Sequence, residues 1–360
     1  MKQKLQLLIL LCTINFNVNA QSLFNIGLNI GDPAPSLKVK AWVKGTPIQN
    51  FEKDKIYVID FWATWCFPCM QLMPHFSKLA HKYQNKATFL SIDIYEKKEI
   101  PIIKIKKLVD SMGDRMDFTV GIEENRFMSK NWADTSRSFG IPTIFIVNDG
   151  ILDWIGHPKY ADSVLTKILN KSWRPKLARL KRNNQIYYYD LDMKGSEELA
   201  NRITRYKINM DGNTHDRVTV SPHSVLVVID EMVKNVPILK FLPGFITRTF
   251  DALLQTAPQK AYDFAREAMV TPSYYDEPPY LLLVQKIEEN SDKLKIPENI
   301  YRLGAECCQA WIDDDPYPEL GMTERTYKRM ATLYRLAGDL PKATEADQKA
   351  KDFSVTNKKL

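Results

Sequence analysis

Two cysteines separated by two residues, Cys66 and Cys69, are the side chains best suited to chemistry in this chain. They end the stretch Phe61-Trp62-Ala63-Thr64-Trp65-Cys66-Phe67-Pro68-Cys69, between an apolar run and a helix-like segment. Free N–H groups at the start of a helix stabilise an anion, so we expect the pKa of Cys66 to lie below the usual value of about 8.5. Cys66 is therefore the predicted nucleophile of a thiol-disulfide exchange. Cys69, one helical turn later, is the predicted resolving cysteine.

The elements that must position this pair alternate between strands and helices. Ile56–Phe61 and Thr88–Ile94 are nearly continuous apolar runs, as in strands buried on both faces of a sheet, and Met70–Tyr83 between them has helical periodicity. The other predicted elements are an edge strand at Leu37–Val43, a helix at Ile100–Met112, a strand at Asp117–Ile122, and a hairpin of Thr143–Val147 and Leu152–Ile155 around Asn148-Asp149-Gly150. This pattern predicts an α/β domain that closes near Ser172.

Three further features lie at informative distances from the cysteines. Asp60 lies six residues before Cys66, Pro74 lies five residues after Cys69, and a Phe139-Gly140-Ile141-Pro142-Thr143 segment precedes a predicted strand. With the Gly31-Asp32-Pro33-Ala34-Pro35 opening and the extra helix and strand between 99 and 134, the chain resembles the thioredoxin superfamily over about residues 28–172. It is most similar to the extracytoplasmic thiol-disulfide reductase branch, the family of TlpA and ResA.

The resemblance implies a thioredoxin-like α/β fold, with a mixed central sheet flanked by helices, and a set of site residues. Asp60 would be a buried carboxylate that takes up and returns the Cys69 proton. A cis Pro142 would lie beside the sulfurs, and the Ile141 backbone would pair with an extended substrate segment. The residues expected to bind substrate are Trp65, Phe67, Pro68, Ile141 and Pro142.

The resemblance also implies partners and a direction for the reaction. We expect disulfide-bonded substrate proteins, a membrane thiol donor, and no cofactor beyond the redox-active disulfide of Cys66 and Cys69. Pro68 is typical of reducing members of the superfamily, which favours reduction; a disulfide oxidase or isomerase is the alternative. Leu72 occupies the place where some cytochrome-maturation relatives carry a glutamate, so a haem role is not supported.

Two other types of site are weighed against this interpretation. A zinc site would need further ligands, and His75 and His81 are nearby, but the thioredoxin pattern already explains both, so no metal is predicted. A peroxidase would need a proline seven and a hydroxyl residue three positions before the cysteine, where this chain has Ile59 and Ala63.

The N-terminus has the pattern of a secretory signal peptide over residues 1–20. Lys2 and Lys4 precede the apolar run Leu5–Leu11, and Val18-Asn19-Ala20 offers a small-residue cleavage site. The apolar run is much shorter than the roughly 20 residues that a spanning helix needs. We therefore expect a periplasmic or otherwise extracytoplasmic protein.

Composition and length restrict the protein class. The 360 residues predict two or three domains, and 44% hydrophobic with 26% charged residues indicates a globular chain. Lysine and arginine outnumber aspartate and glutamate by only 50 to 43, an excess too small to imply a nucleic-acid partner.

Beyond the predicted thioredoxin-like domain at 21–172, the sequence changes character. Residues 173–190 are rich in lysine and arginine and contain Pro175, and we interpret them as a basic linker. Residues 191–360 have mainly helical periodicity. Near the end, two helical segments separated by Ala337-Gly338-Asp339 have small-residue spacing, for which a tetratricopeptide-like unit and an ordinary bundle are both open. A partner-binding or scaffold protein acting through this domain is the alternative function.

The adjacent pair Cys307-Cys308 falls inside one of the predicted helices. Neighbouring cysteines can bond to each other only with strain, and small apolar packing is the favoured role, with redox and metal roles as alternatives.

Overall fold

The computed structural model describes residues 26–96, 100–138, 140–211, 220–271, 278–314 and 322–357. The predicted signal peptide at 1–20 lies outside these residues. No helix among those described is both long and apolar enough to cross a membrane.

A six-stranded mixed sheet forms the centre of the N-terminal domain. Its strands are β1 (Val39–Lys44), β2 (Ile56–Trp62), β3 (Thr88–Asp93), β4 (Thr119–Glu123), β5 (Thr143–Asn148) and β6 (Ile151–Gly156). Their spatial order is β1-β4-β3-β2-β5-β6. The pairs β2–β3 and β3–β4 are parallel, whereas β1–β4, β2–β5 and β5–β6 are antiparallel. The predicted mixed sheet is confirmed.

Local sequence explains where these strands begin and end. The apolar runs of β2 and β3 are almost wholly buried, as expected for interior strands covered on both faces. Asp149 and Gly150 both have positive φ, 51° and 75°, in the two-residue turn between β5 and β6. Such a turn needs positive φ at both positions, which Asp and Gly tolerate, so the predicted hairpin forms here.

The α-helices described in this domain are α1 (Phe67–Lys82), α2 (Ile102–Met112) and α3 (Ala161–Leu169). Helix α2 begins two residues later than predicted because Pro101 is extended, with φ −61° and ψ 138°, and acts as its N-cap. Sheet and helices share one apolar core that runs from Leu28 to Ile168 and includes the fully buried Trp62 and Trp132.

The stretch interpreted as a basic linker, 173–190, is helical from Pro175 onward. It forms the first half of α4 (Pro175–Asp211), a helix of 37 residues. Proline is compatible with the first position of a helix because its missing N–H would have no intrahelical partner there. Pro175, which suggested a linker, therefore begins a helix, and Arg179 and Arg182 of this stretch form hydrogen bonds with the N-terminal domain.

The rest of the described chain is helical, as predicted. The helices are α5 (Pro222–Asn235), α6 (Pro243–Thr256), α7 (Pro258–Val270), α8 (Tyr280–Asn290), α9 (Glu298–Asp313), α10 (Met322–Leu336) and α11 (Leu340–Asn357). One apolar cluster joins α4, α5 and the start of α6, and a larger one joins α6 to α11. The predicted final hairpin is present as α10 and α11, with Gly338 at φ 73° in the turn. Whether it is a tetratricopeptide-like unit stays a prediction.

Cys307 and Cys308 lie side by side in α9 and are free thiols. Both are fully buried in the larger helical cluster. Burial raises the pKa of both thiols, that of Cys308 to about 12. Since the thiolate is the reactive form, this environment suits packing rather than redox chemistry.

Candidate active site

The two cysteines predicted to react are joined in a disulfide at the start of α1. The chain leaves β2 at Trp62, and Cys66 is the N-cap of α1, with an extended backbone at φ −82° and ψ 90°. The Cys69 N–H donates a 3.2 Å hydrogen bond to Cys66 Sγ. The two Cα atoms lie 5.3 Å apart. A negative charge on Cys66 would therefore face the free N–H groups and positive dipole end of the helix.

Exposure differs sharply between the cysteines and their neighbours. Cys66 is 3% exposed and Cys69 1%, whereas Trp65 and Phe67 are 54% and 56% exposed. Pro68 is exposed as well. Trp65 Nε1 donates a 3.2 Å hydrogen bond to the carbonyl of Tyr95. Large apolar side chains exposed at a protein surface are typical of contact surfaces for other polypeptides, and substrate binding by Trp65, Phe67 and Pro68 stays a prediction.

The Ile141-Pro142 loop borders the disulfide on another side. Its peptide bond is cis, as predicted. The Ile141 carbonyl oxygen lies 3.8 Å from Cys66 Sγ. Thr143 Oγ1 donates a 2.6 Å hydrogen bond to the Gly140 carbonyl, which ties the loop to the start of β5. The structure thus brings the Cys66–Cys69 motif and the distant Ile141-Pro142 segment together.

Asp60 lies in the middle of β2 and is 3% exposed. Ser91 Oγ, on the paired strand β3, donates a 2.8 Å hydrogen bond to Asp60 Oδ2. Burial raises the pKa of Asp60 to about 7, and the Ser91 hydrogen bond opposes this shift. The Asp60 carboxyl can therefore both accept and release a proton near neutral pH. It makes no hydrogen bond to either active-site sulfur within the described structure.

The sequence did not reveal a second buried carboxyl, Asp93 at the end of β3. It is in register with Trp62 and is 1% exposed. Burial, and next the negative charge of Glu96, raise the pKa of Asp93 to about 9, so it is protonated at neutral pH. Glu96 in turn accepts a hydrogen bond from the Thr64 N–H of the active-site loop. The only sequence signal was the polar end of an apolar run.

The histidines considered as zinc ligands do not converge on the cysteines. His75 is buried in α1, while the exposed His81 lies 3.1 Å from Asp117. Among the described residues, no group of three or more His, Cys, Asp or Glu side chains could hold a metal ion.

Part of the N-terminal domain is similar in sequence to known proteins. Residues 44–108 match the family model described as "Thioredoxin". The chain is 38% identical over 81 residues to Thioredoxin 2 of Chlorobaculum tepidum, a match that spans 18% of this chain and 74% of that protein. The chain belongs to the thioredoxin family.

Two further matches cover longer parts of the chain. Over 152 residues the chain is 29% identical to Protein FixW of Rhizobium leguminosarum, covering 41% of this chain and 69% of that protein. A solved thiol-disulfide isomerase from Corynebacterium glutamicum matches 39% of this chain and 96% of its own at 19% identity, with a TM-score of 0.33. In this thioredoxin-family protein, a redox-type cysteine pair lies beside the cis Ile141-Pro142 loop.

Proposed function

We propose that this protein is an extracytoplasmic thiol-disulfide oxidoreductase that reduces disulfide bonds in other proteins. The observation that carries the proposal is the Cys66–Cys69 disulfide at the start of α1, bordered by the Ile141-Pro142 loop and by exposed Trp65 and Phe67. The reduced dithiol would be the active donor, and the disulfide is its oxidised product.

The reaction consists of two exchanges with balanced electrons. The Cys66 thiolate attacks one sulfur of the substrate disulfide, forms a mixed disulfide, and releases the other substrate sulfur as a thiolate. The Cys69 sulfur, after losing its proton, attacks Cys66 Sγ and releases the second substrate sulfur. Two electrons pass to the substrate, and Cys66 and Cys69 end as the disulfide. A thiol donor, in our proposal a membrane protein, returns the two electrons.

Asp60 is proposed to handle the proton of Cys69. Burial gives this carboxyl a pKa of about 7, where the protonated and ionised forms are both populated at working pH. A base with that pKa can remove the Cys69 proton during resolution and return it when the dithiol is regenerated.

The direction of the reaction is tested by the reduction potential of the couple. The purified protein is equilibrated with thiol-disulfide buffers, and the fraction of Cys66–Cys69 disulfide is measured. A potential near or below about −220 mV supports a reductase. A value of about −120 to −180 mV would instead assign oxidase or isomerase activity.

Cysteine variants test the site itself. Cys66→Ser is expected to abolish disulfide reduction, and Cys69→Ser to accumulate a mixed disulfide with substrate. The matched control is the double variant Cys307→Ser and Cys308→Ser, which should retain activity if it folds, because those thiols lie in the helical core. If the Cys66→Ser protein still reduces disulfides, the proposed function is wrong.

The scaffold alternative and the location need separate tests. A partner bound only by the helical domain should remain bound to the Cys66→Ser variant, whereas a redox substrate held as a mixed disulfide should be lost.

Export is proposed from residues 1–20 and is tested by sequencing the N-terminus of the protein recovered outside the cytoplasm. Processing after Ala20 would leave Gln21 as the first residue.

A further inference from the structure

A cleft with a volume of about 690 Å³ lies between the N-terminal domain and the beginning of α4. Its lining includes Gly140, Ile141 and Pro142, the loop that also borders Cys66 Sγ. Another part of the lining comes from the segment that the sequence suggested was a linker. The cleft therefore shares the Ile141-Pro142 loop with the cysteine pair, and α4, outside the thioredoxin core, supplies one of its walls.

Cations dominate the charge of this cleft. The described lining residues include Lys167, Arg174, Lys181 and Arg182 and no carboxylate. The first three are exposed. None of these three forms an ion pair with a described residue. Several like charges around a concave surface focus a positive potential and attract an anion.

The burial and hydrogen bonding of Arg182 give a second, independent argument that the cleft binds an anion. It is only 6% exposed, its Nη2 donates a 2.6 Å hydrogen bond to the Ser136 carbonyl, and its buried Nε has no hydrogen-bond partner. No carboxylate among the described residues neutralises it, and burial lowers its pKa to about 10, which leaves it charged at neutral pH. A buried charge without a counter-ion is costly, and an anionic ligand would offset that cost.

The uncharged part of the lining suits a polypeptide. Trp154, Trp173 and Leu177 line the cleft, and Leu177 is 47% exposed. Apolar and aromatic walls between fixed cations can take the side chains of an extended chain while the cations pair with its carboxylates.

We propose that this cleft binds an acidic, extended segment of the substrate protein next to the disulfide to be reduced. This inference rests on the proposed function: the substrate disulfide would sit at Cys66, and the chain would pass along Ile141 and Pro142 into the cleft. Helix α4 thereby selects among disulfide substrates by charge.

The test uses two disulfide-closed peptides that differ only in flanking residues, three glutamates in one and three glutamines in the other. We expect wild-type kcat/KM to be about fivefold or more higher for the glutamate peptide at low salt, with the preference shrinking at high salt. The double variant Lys167→Gln and Lys181→Gln should lose most of this preference, measured as the ratio of the kcat/KM values for the two peptides.

The matched control removes the same charge elsewhere. Lys176, on α4 but outside the cleft lining, and Lys86 are both exposed. The double variant Lys86→Gln and Lys176→Gln should keep the preference. Equal losses in both double variants, or no preference in the wild type, would overturn the proposal.

Two further measurements test whether the cleft binds a peptide without a disulfide and whether it recognises polypeptides or only small anions. A cysteine-free glutamate peptide is titrated by calorimetry into the oxidised protein, and its binding should weaken in the Lys167/Lys181 variant but not in the control. Such binding without disulfide reduction would refute the proposed function but support the cleft. If only oxidised glutathione, a small anionic disulfide, responds to the two lysines, the cleft does not recognise polypeptides and the inference is wrong.

Discussion

Two buried carboxyl groups distinguish the residues around the disulfide, Asp60 on β2 and Asp93 on β3. Neither has a cationic partner among the described residues, and burial raises the pKa of both, to about 7 and about 9. At the scale of single residues, Asp60 should set the pH dependence of mixed-disulfide resolution, and Asp93 should make the stability of the fold depend on pH.

Asp60→Asn should slow resolution of the mixed disulfide by at least about tenfold, because it removes the proposed base. Single-turnover kinetics from pH 5.5 to 9 should show an inflection near pH 7 in the wild type that is absent in the variant.

Ser91→Ala provides the matched control for Asp60. It removes the hydrogen bond that stabilises the Asp60 carboxylate and keeps the carboxyl itself. The inflection should therefore move to higher pH without disappearing. An unchanged profile in both variants would exclude Asp60 as the group that titrates.

Asp93 should affect stability in a defined pH window. Its pKa is raised from 3.8 in the unfolded chain to about 9 in the folded protein, so the folded state holds a proton that the unfolded state releases between these values. Its stabilising contribution is fully present below pH 4 and is lost as pH rises toward 9.

Asp93→Asn should consequently become more favourable relative to the wild type as pH rises, by up to about 1.4 kcal/mol per pH unit. Urea unfolding of the oxidised protein at pH 5 and pH 8 measures this difference. Exposed Asp114→Asn is the control, and its stability difference from the wild type should not change with pH. A flat difference for Asp93→Asn would show that the carboxyl is ionised when folded.

At the scale of elements, the contact between α4 and α6 depends on one glycine. The Gly244 N–H at the start of α6 donates hydrogen bonds of 3.0 and 3.1 Å to the two carboxylate oxygens of Asp192 in α4. A carboxylate at a helix N-terminus satisfies free donors and complements the helix dipole. A methyl group at Gly244 would overlap Ser196 Oγ and lie 2.8 Å from Asp192 Oδ1.

Gly244→Ala should therefore destabilise the protein by about 1–2 kcal/mol. The overlap should outweigh the gain of up to about 1 kcal/mol in helix propensity. Thr249→Ala, on the same helix, should change stability by no more than about 0.5 kcal/mol. Urea unfolding followed by circular dichroism measures both, and a more stable Gly244→Ala protein would mean that the Ser196 and Asp192 side chains move aside at little cost.

At the scale of the whole molecule, α4 connects the N-terminal domain to the helical domain. Arg137 makes a two-pronged ion pair with Asp190, Arg179 Nη1 lies 2.7 Å from Asp32 Oδ1, and Asn29 donates a 2.7 Å hydrogen bond to Asn183. The Asp190 side chain is only 18% exposed. These contacts hold the helical wall of the cleft beside the redox site.

Asp190→Asn should lower the stability of this junction by about 1–2 kcal/mol, since it leaves a half-buried arginine without its carboxylate. Six of the seven tryptophans lie at or before Trp173, so tryptophan fluorescence mainly follows the N-terminal domain, whereas circular dichroism follows the helices. The two urea midpoints should move further apart in the variant. Asp110→Asn, which breaks an exposed pair with Lys106, should leave them in place.

The resemblance to thioredoxins predicted the cis bond before Pro142, which the structure contains. The sequence by itself determined the position of the cysteine pair and the order of strands and helices in the N-terminal domain. These follow from short-range signals: an apolar period, a turn dipeptide, and a cysteine pair between a strand and a helix. Pro258 could have shown by the same logic that α6 and α7 are separate helices, because a residue before proline avoids the helical region, and Ala257 lies at φ −154° and ψ 74°.

Only the tertiary structure decided the surroundings of these residues. The Ser91 hydrogen bond to Asp60 exists because β2 and β3 pair in that register, and the pKa values of Asp60 and Asp93 depend on what covers them. The basic stretch after Trp173 became the wall of a cleft because Arg179 and Arg182 bond to the N-terminal domain. Burial and charge pairing arise between residues far apart in the chain, and local sequence patterns do not encode them.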